Sequence, residues 1–373
     1  MKIKTFELER YFDLHEFSAR YLLSASDCEP LAMHALLELA DGETRALWEG
    51  LKLSYTETRG HPLLREEIAL LYENIEADDV IVGVPQECIF LFMHAVLKEG
   101  DRVVCTDPAY QSLQEVARSI GCEVAAWRPD EEAGWRFDPE KLKDLTREDT
   151  KLIIVNFPHN PTGSVPPVDD YRAIVDIARE RGAYLFSDEM YRYLEVRPGV
   201  TLPAGCEVYE RGFSLFGMSK TFGLPGLRVG WLASRDRDVL SRMNGFKDYT
   251  TICSSAPSEI LAIAGLRSRD AIIRLQNERI ARNIASLDGF FEEYGELISW
   301  NRPIGGSICL PRMHCVDDTR PFCDELLNET GIMLVPSEMF QYGKNHVRFG
   351  FGRENLPEVL ERFSRYLKSS FLS

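Results

Sequence analysis

Lys220 stands in SLFGMSKTFGLPGLRVGW (214–231), between an apolar run and a turn-rich segment holding three glycines and a proline. A lysine at a strand end in apolar company has its amine made nucleophilic by desolvation, and such lysines form Schiff bases with carbonyls. Taken alone, it could equally be a solvated lysine in a loop. Asp188 closes a second apolar run, AYLFSD (183–188). A carboxylate there is costly unless it is paired. It either caps the residues that follow or partners a protonated heterocycle nitrogen. One cofactor needs both groups. In pyridoxal 5'-phosphate a lysine holds the aldehyde, an acid keeps the pyridinium charged, and the ring becomes an electron sink. Two nucleotide motifs are excluded by register. GFSLFGMSKT lacks the glycine directly before the lysine that a P-loop requires, and GLPGLRVG lacks GxGxxG spacing.

The elements that must position these groups follow from the apolar pattern. Strands are expected at VIVG (80–83), RVVCT (102–106), LIIVN (152–156), AYLFSD (183–188), FSLF (213–216) and VGWLA (229–233), with helices at 86–97, 111–120 and 169–181. Continuous apolar strands separated by amphipathic helices signal a mostly parallel sheet covered on both faces, an α/β architecture. Ligands of such sheets sit at the carboxyl ends of the strands. Those ends present Asn160, Asp188, Tyr191 and Lys220, with Arg228 close behind. Beyond about residue 270 the pattern changes to a long charged helix (270–294), short strands and a final helix after Pro357. We therefore expect a large domain over 46–270 and a smaller α+β domain from 1–45 plus 271–373.

The 373 residues are 45% hydrophobic and 27% charged, as in a folded globular protein, with a net charge of -16. No Lys/Arg cluster suited to phosphate backbones is present, so nucleic acid is not expected as a partner. Nine cysteines without a CxxC pair suggest reduced thiols and a cytoplasmic setting. The start, MKIKTFELERYF, does not read as a secretory leader. The longest apolar run (88–97) is too short for a bilayer, so no membrane association is expected. His159 is placed to line the site, but no HxxxH or HExxH occurs and no metal is expected.

Five pieces in order resemble the class I/II aminotransferases of fold-type I: YTETRGHPLLR (55–65), DPAY (107–110), NPTG (160–163), SDEMY (187–191) and SKTFGLPGLRVGW (219–231). The likeness spans roughly residues 50–350. It implies a mostly parallel seven-stranded sheet flanked by helices, and pyridoxal 5'-phosphate as cofactor. By resemblance, Lys220 is the Schiff-base lysine and general acid/base, and Asp188 pairs with the pyridine nitrogen. Tyr191 and Asn160 bond the cofactor's phenolic oxygen, Tyr110 stacks on the ring unless it is an ordinary core aromatic, and Arg228 grips the phosphate. Tyr55 reaches the phosphate of a neighbouring subunit, which implies a homodimer with shared sites. Arg348 binds the substrate α-carboxylate by a bidentate fork, with Arg353 as its rival.

The phosphate cup departs from the family. VGVPQE (82–87) puts Pro85, which has no N–H, where relatives carry alanine, so the Gln86 N–H is expected to carry more of the anion binding. Gly217 stands where relatives tend to have serine, and Ser219 is expected to compensate. Weaker or rearranged phosphate binding follows.

The family implies ping-pong transamination between an amino acid and a 2-oxo acid. The alternative is elimination, replacement or cyclisation of a hydroxylated amino acid such as hydroxyarginine. LSASDCEP (23–30) and KDYTTICSSAPSE (247–259) resemble the capreomycidine-synthase-like branch, in which Asp27 or Glu29 would meet a guanidinium. Asp27 could instead cap the following helix. A non-catalytic sensor of the same fold is disfavoured because every main catalytic position is filled. Its discriminating test is Lys220→Ala, which a binding protein should tolerate.

Overall fold

The computed structural model describes residues 2–196 and 199–372. Its centre is a seven-stranded sheet made of β1 (Val80–Gly83), β2 (Arg102–Thr106), β3 (Glu123–Trp127), β4 (Thr150–Asn156), β5 (Tyr184–Asp188), β6 (Gly212–Gly217) and β7 (Gly230–Ala233). The order across the sheet is β1-β7-β6-β5-β4-β2-β3. Only β7 runs antiparallel to its neighbours. Strands β1, β2, β5, β6 and β7 are buried along their whole length, as continuous apolar runs require when helices cover both faces. The expected helices form at Pro85–Val96, Ser112–Ile120 and Val168–Arg181.

One strand was not read from the sequence. β3, EVAAW, is the sheet edge and only its last residue is buried. Two alanines and a half-exposed face give it neither a continuous apolar run nor a strict alternation.

The chain leaves β2 for the edge at β3, then returns to β4 on the other side of β2. This reversal of strand order is the topological switch point at which open α/β sheets open a crevice. The segments leaving β2 and β4 there carry Tyr110 and Asn160.

Around the sheet's carboxyl edge lie the two ends of the chain. Tyr21–Leu22 pairs in parallel with Ile332–Met333, and Val347–Gly350 is the centre of a three-stranded antiparallel sheet. Gly350 is needed for a close approach. Its N–H donates to Leu23 O at 2.6 Å, and a Cβ there would collide with the carbonyl of Ala25. That contact lays the 23–28 segment over the strand bearing Arg348. Helix Glu7–His15 docks alongside: Leu8 and Tyr11 are buried against Met333, Val335, Met339 and Phe340, and the Tyr11 hydroxyl donates to Leu334 O at 3.0 Å.

Candidate active site

A cavity of about 410 Å³ opens at the carboxyl ends of the central strands. Its lining includes Lys220, Asp188, Tyr191, Asn160, Tyr110, Arg228, Ser219, Gln86, Arg348 and Asp27, which the sequence spreads over more than 300 positions. Tyr55 is elsewhere: it is 87% exposed and borders a separate groove with Leu53 and Cys253.

Asp188 ends β5 with its Oδ1 accepting the Met190 N–H at 3.2 Å. A turn follows it, not a helix, so it is no helix cap. Its second oxygen accepts no hydrogen bond from the described residues. Burial, reinforced by the neighbouring Glu189 carboxylate, pushes its carboxyl up to about 7, against the pull of the Met190 N–H and Lys220. An acid held this way gains from a cation in the cavity.

Lys220 is partly buried, and its Nζ donates to Ser26 Oγ at 2.8 Å. Desolvation lowers its ammonium, opposed by Asp27 and assisted by Arg348. Above its pKa the amine carries a lone pair, as a nucleophile must.

Arg348 is 1% exposed. Its Nη2 donates to Ser24 O at 2.9 Å, its Nη1 reaches Asn160 Oδ1 at 3.4 Å, and its Nε has no partner among the described residues. Phe12 and Phe340 flank it at 5.5 and 5.4 Å. No carboxylate pairs with it among the described residues, and a guanidinium taken out of water without a counter-anion is expensive. Arg353 does not compete for this place, because it spans both oxygens of Asp27 at 3.0 and 3.1 Å. Asp27 is thus neutralised and caps no helix. Glu29 lies outside the cavity and accepts the Glu354 N–H at 2.9 Å.

Asn156, which was not singled out in the sequence, builds the corner. Its Oδ1 accepts the Asn160 N–H at 2.8 Å and its Nδ2 donates to Asp188 O at 2.9 Å. The Asn160 amide nitrogen makes no hydrogen bond to the described residues. His159 is corrected from the expectation: it is fully buried and does not line the cavity. Nε2 lies 2.8 Å from Pro108 O, so it carries the proton, and Nδ1 accepts from Thr162 Oγ1 at 2.8 Å. The imidazole ties the loop after β2 to the loop after β4.

The two departures in the cup are one packing arrangement. A Cβ on Gly217 would stand 3.3 Å from Pro85 Cγ and 2.9 Å from Gly230 Cα, and a Cβ on Gly230 would stand 2.6 Å from the same Pro85 Cγ. The proline ring fills the notch that these paired glycines leave. Ser219 lies in the cavity lining. The first free helical N–H groups are those of Gln86 and Glu87, since Cys88 N–H is taken by Val84 O.

Residues 22–363 match the family described as aminotransferase class I and II. The chain belongs to that family. As an aminotransferase-family protein it is 29% identical over 289 residues to capreomycidine synthase of Streptomyces vinaceus, covering 75% of this chain and 72% of that protein. A probable aspartate/prephenate aminotransferase of Thermus aquaticus is 29% identical over 341 residues, covering 87% and 86%. A PLP-dependent aminotransferase structure from Streptococcus suis superposes with a TM-score of 0.93 at 32% identity and covers 99% of each chain. The likeness to capreomycidine synthase agrees with the branch suggested by 23–30 and 247–259.

The cofactor of this family is pyridoxal 5'-phosphate, and the residues present fit it. Among the described residues the buried Tyr191 hydroxyl has no partner, the free oxygen of Asp188 suits a pyridinium, and Lys220 offers an amine. The lining also holds residues that sequence reasoning missed: Leu8, Glu9 and Phe12 from the N-terminal helix, Glu16 at its C-cap, and Ser26. Only the alternation of apolar and acidic residues in FELERYFDLHE hinted at a helix with two working faces.

Proposed function

We propose that this protein is a pyridoxal-phosphate-dependent aminotransferase, moving an amino group from an amino acid to a 2-oxo acid by a ping-pong scheme. The observation that carries this reading is the convergence of Lys220, Asp188 and an Arg348 without a counter-anion on one cavity. Pyridoxal phosphate, when bound, supplies the electron sink that makes the Cα–H bond of an amino acid acidic. Arg348 holds the α-carboxylate through its fork and so orients the Cα–H bond. The Lys220 amine would act as the general acid/base that moves the Cα proton. Asp188 would keep the ring nitrogen charged, while Tyr191 and the Asn160 amide would donate to the phenolic oxygen. Tyr110 would pack on the ring face, and Arg228, Ser219 and the Gln86 N–H would hold the phosphate. The exposed Tyr55, and Tyr249, which is 91% exposed and lies in the 247–259 segment, fit a homodimer in which each subunit completes its partner's site, and light scattering that finds a fully active monomer overturns that assembly. Nine free cysteines support a cytoplasmic setting.

The second reading is elimination, replacement or cyclisation of a hydroxylated amino acid such as hydroxyarginine. The relation to capreomycidine synthase favours it. A stopped-flow visible spectrum separates the two. If the cofactor band is lost on mixing with an amino acid and returns only with a 2-oxo acid, the chain transfers the amine. If the band returns unaided as substrate is consumed, it eliminates or cyclises. Lys220→Ala should abolish turnover in either case.

A further inference from the structure

The ionisable side chains of the cavity do not all find a use in the cofactor and the α-carboxylate. Asp188 and Lys220 serve the ring and the aldehyde, Arg228 the phosphate and Arg348 the α-carboxylate. Asp27 is held by Arg353. Two carboxylates remain, Glu9 and Glu16, both on the cavity wall. Glu9 accepts only the Tyr110 hydroxyl, at 2.6 Å. Glu16 makes no side-chain hydrogen bond or ion pair with any described residue. The two lie two helical turns apart, with Phe12 between them on the same face, which is the spacing that lines residues up along one side of a helix. Burial, with Asp27 and Glu9 nearby, already disfavours the Glu16 carboxylate.

An independent observation points to a ligand here: Arg348, 1% exposed, lines the same cavity and has no carboxylate partner among the described residues. Arg348 calls for a carboxylate, whereas the Glu9–Glu16 wall calls for the opposite charge. A ligand bearing both an α-carboxylate and a distal cation satisfies the two at once, with its methylene stem against Phe12.

We propose that Glu9 and Glu16 are the specificity subsite for a positively charged side-chain terminus, so that the substrate is a basic amino acid carrying a guanidinium or ammonium group. This rests on the amino-acid substrate proposed above and deepens it. It separates the chain from the Thermus aquaticus relative, since the two carboxylates would repel an acidic side chain. It holds for either reaction.

The test is calorimetric binding to the holoenzyme of L-arginine, L-ornithine, L-citrulline and L-aspartate, with the visible cofactor band recorded alongside. Citrulline has nearly the shape of arginine without its charge. Arginine or ornithine should bind at least about tenfold more tightly than citrulline, as expected for a charge-assisted pair, and aspartate most weakly. Preference for arginine over ornithine assigns a guanidinium site, and the reverse assigns an ammonium site. In Glu16→Gln and Glu9→Gln the arginine-to-citrulline ratio should fall toward one. Equal binding of arginine and citrulline, best binding of aspartate, or a ratio that survives both substitutions overturns the proposal. If the charge preference is present but no amino acid changes the cofactor band, the subsite stands and the amine-transfer reading falls. If the band responds but no preference exists, the subsite falls and the reaction stands.

Discussion

Asp188 should make the cofactor-free protein less stable at neutral pH than its own amide variant. Its carboxyl is raised from 3.8 to about 7 because burial penalises the ionised form and Glu189 repels it, which together outweigh the Met190 N–H and Lys220. A group whose folded pKa is raised favours folding fully below the unfolded value, and that contribution is lost as pH climbs through the folded value. The interval between 3.8 and about 7, at about 1.4 kcal/mol per pH unit, amounts to roughly 4 kcal/mol. Asp188→Asn keeps the shape and can still accept the Met190 N–H, but it never ionises. Urea unfolding of both proteins after hydroxylamine removes the cofactor should show near-equal stability at about pH 4. The variant's advantage should grow to a few kcal/mol by about pH 7 and level off above it. The same substitution should weaken cofactor binding, because an amide cannot offset a pyridinium charge. A pH-independent difference between the two proteins would falsify the claim that burial raises the Asp188 carboxyl.

Three further outcomes are expected. Arg348→Lys keeps the charge but loses the planar fork, so KM for the amino acid should rise roughly 10- to 100-fold with a smaller change in kcat; an unchanged KM removes Arg348 from the α-carboxylate. Gly217→Ser should cost roughly 1–3 kcal/mol through overpacking against Pro85 and Gly230, and less when combined with Pro85→Ala; strict additivity in thermal melts would show that the two positions do not share one notch. Burial lowers His159 from 6.5 to about 4 and outweighs the Pro108 carbonyl that favours its protonation. Its contribution is therefore complete above about pH 6.5 and lost as pH falls through about 4, so His159→Gln should flatten acid unfolding in that window; an NMR titration placing its pKa near that of a free imidazole would refute this.

Strands such as β1 and β2 could be placed residue for residue because burial on both faces leaves only one kind of text, a short continuous apolar run. The residues at their carboxyl ends were legible for a related reason. A parallel sheet sends ligands to one edge, so Asn160, Asp188 and Lys220 needed only their own strands to be located. β3 was missed because an edge strand is half solvated and carries little apolar pattern. His159 was misplaced because adjacency to Asn160 in the chain says nothing about which way an imidazole points, and two hydrogen bonds turned it inward.

Local chemistry, then, fixed the cofactor and the positions proposed to meet it: each lies on a short segment whose conformation is set by its own apolar run and turn. What the tertiary structure alone decided is what those positions face. Glu9 and Glu16 are separated from Lys220 by some 200 residues, and they reach the cavity only because Leu8 and Tyr11 dock on the segment around Leu334. Pro85 and Gly217 look like two independent departures until β7 brings Gly230 against both. Electrostatic and steric complementarity are properties of groups that are close in space, and in a sheet of this topology closeness in space is set by strand order rather than by position along the chain.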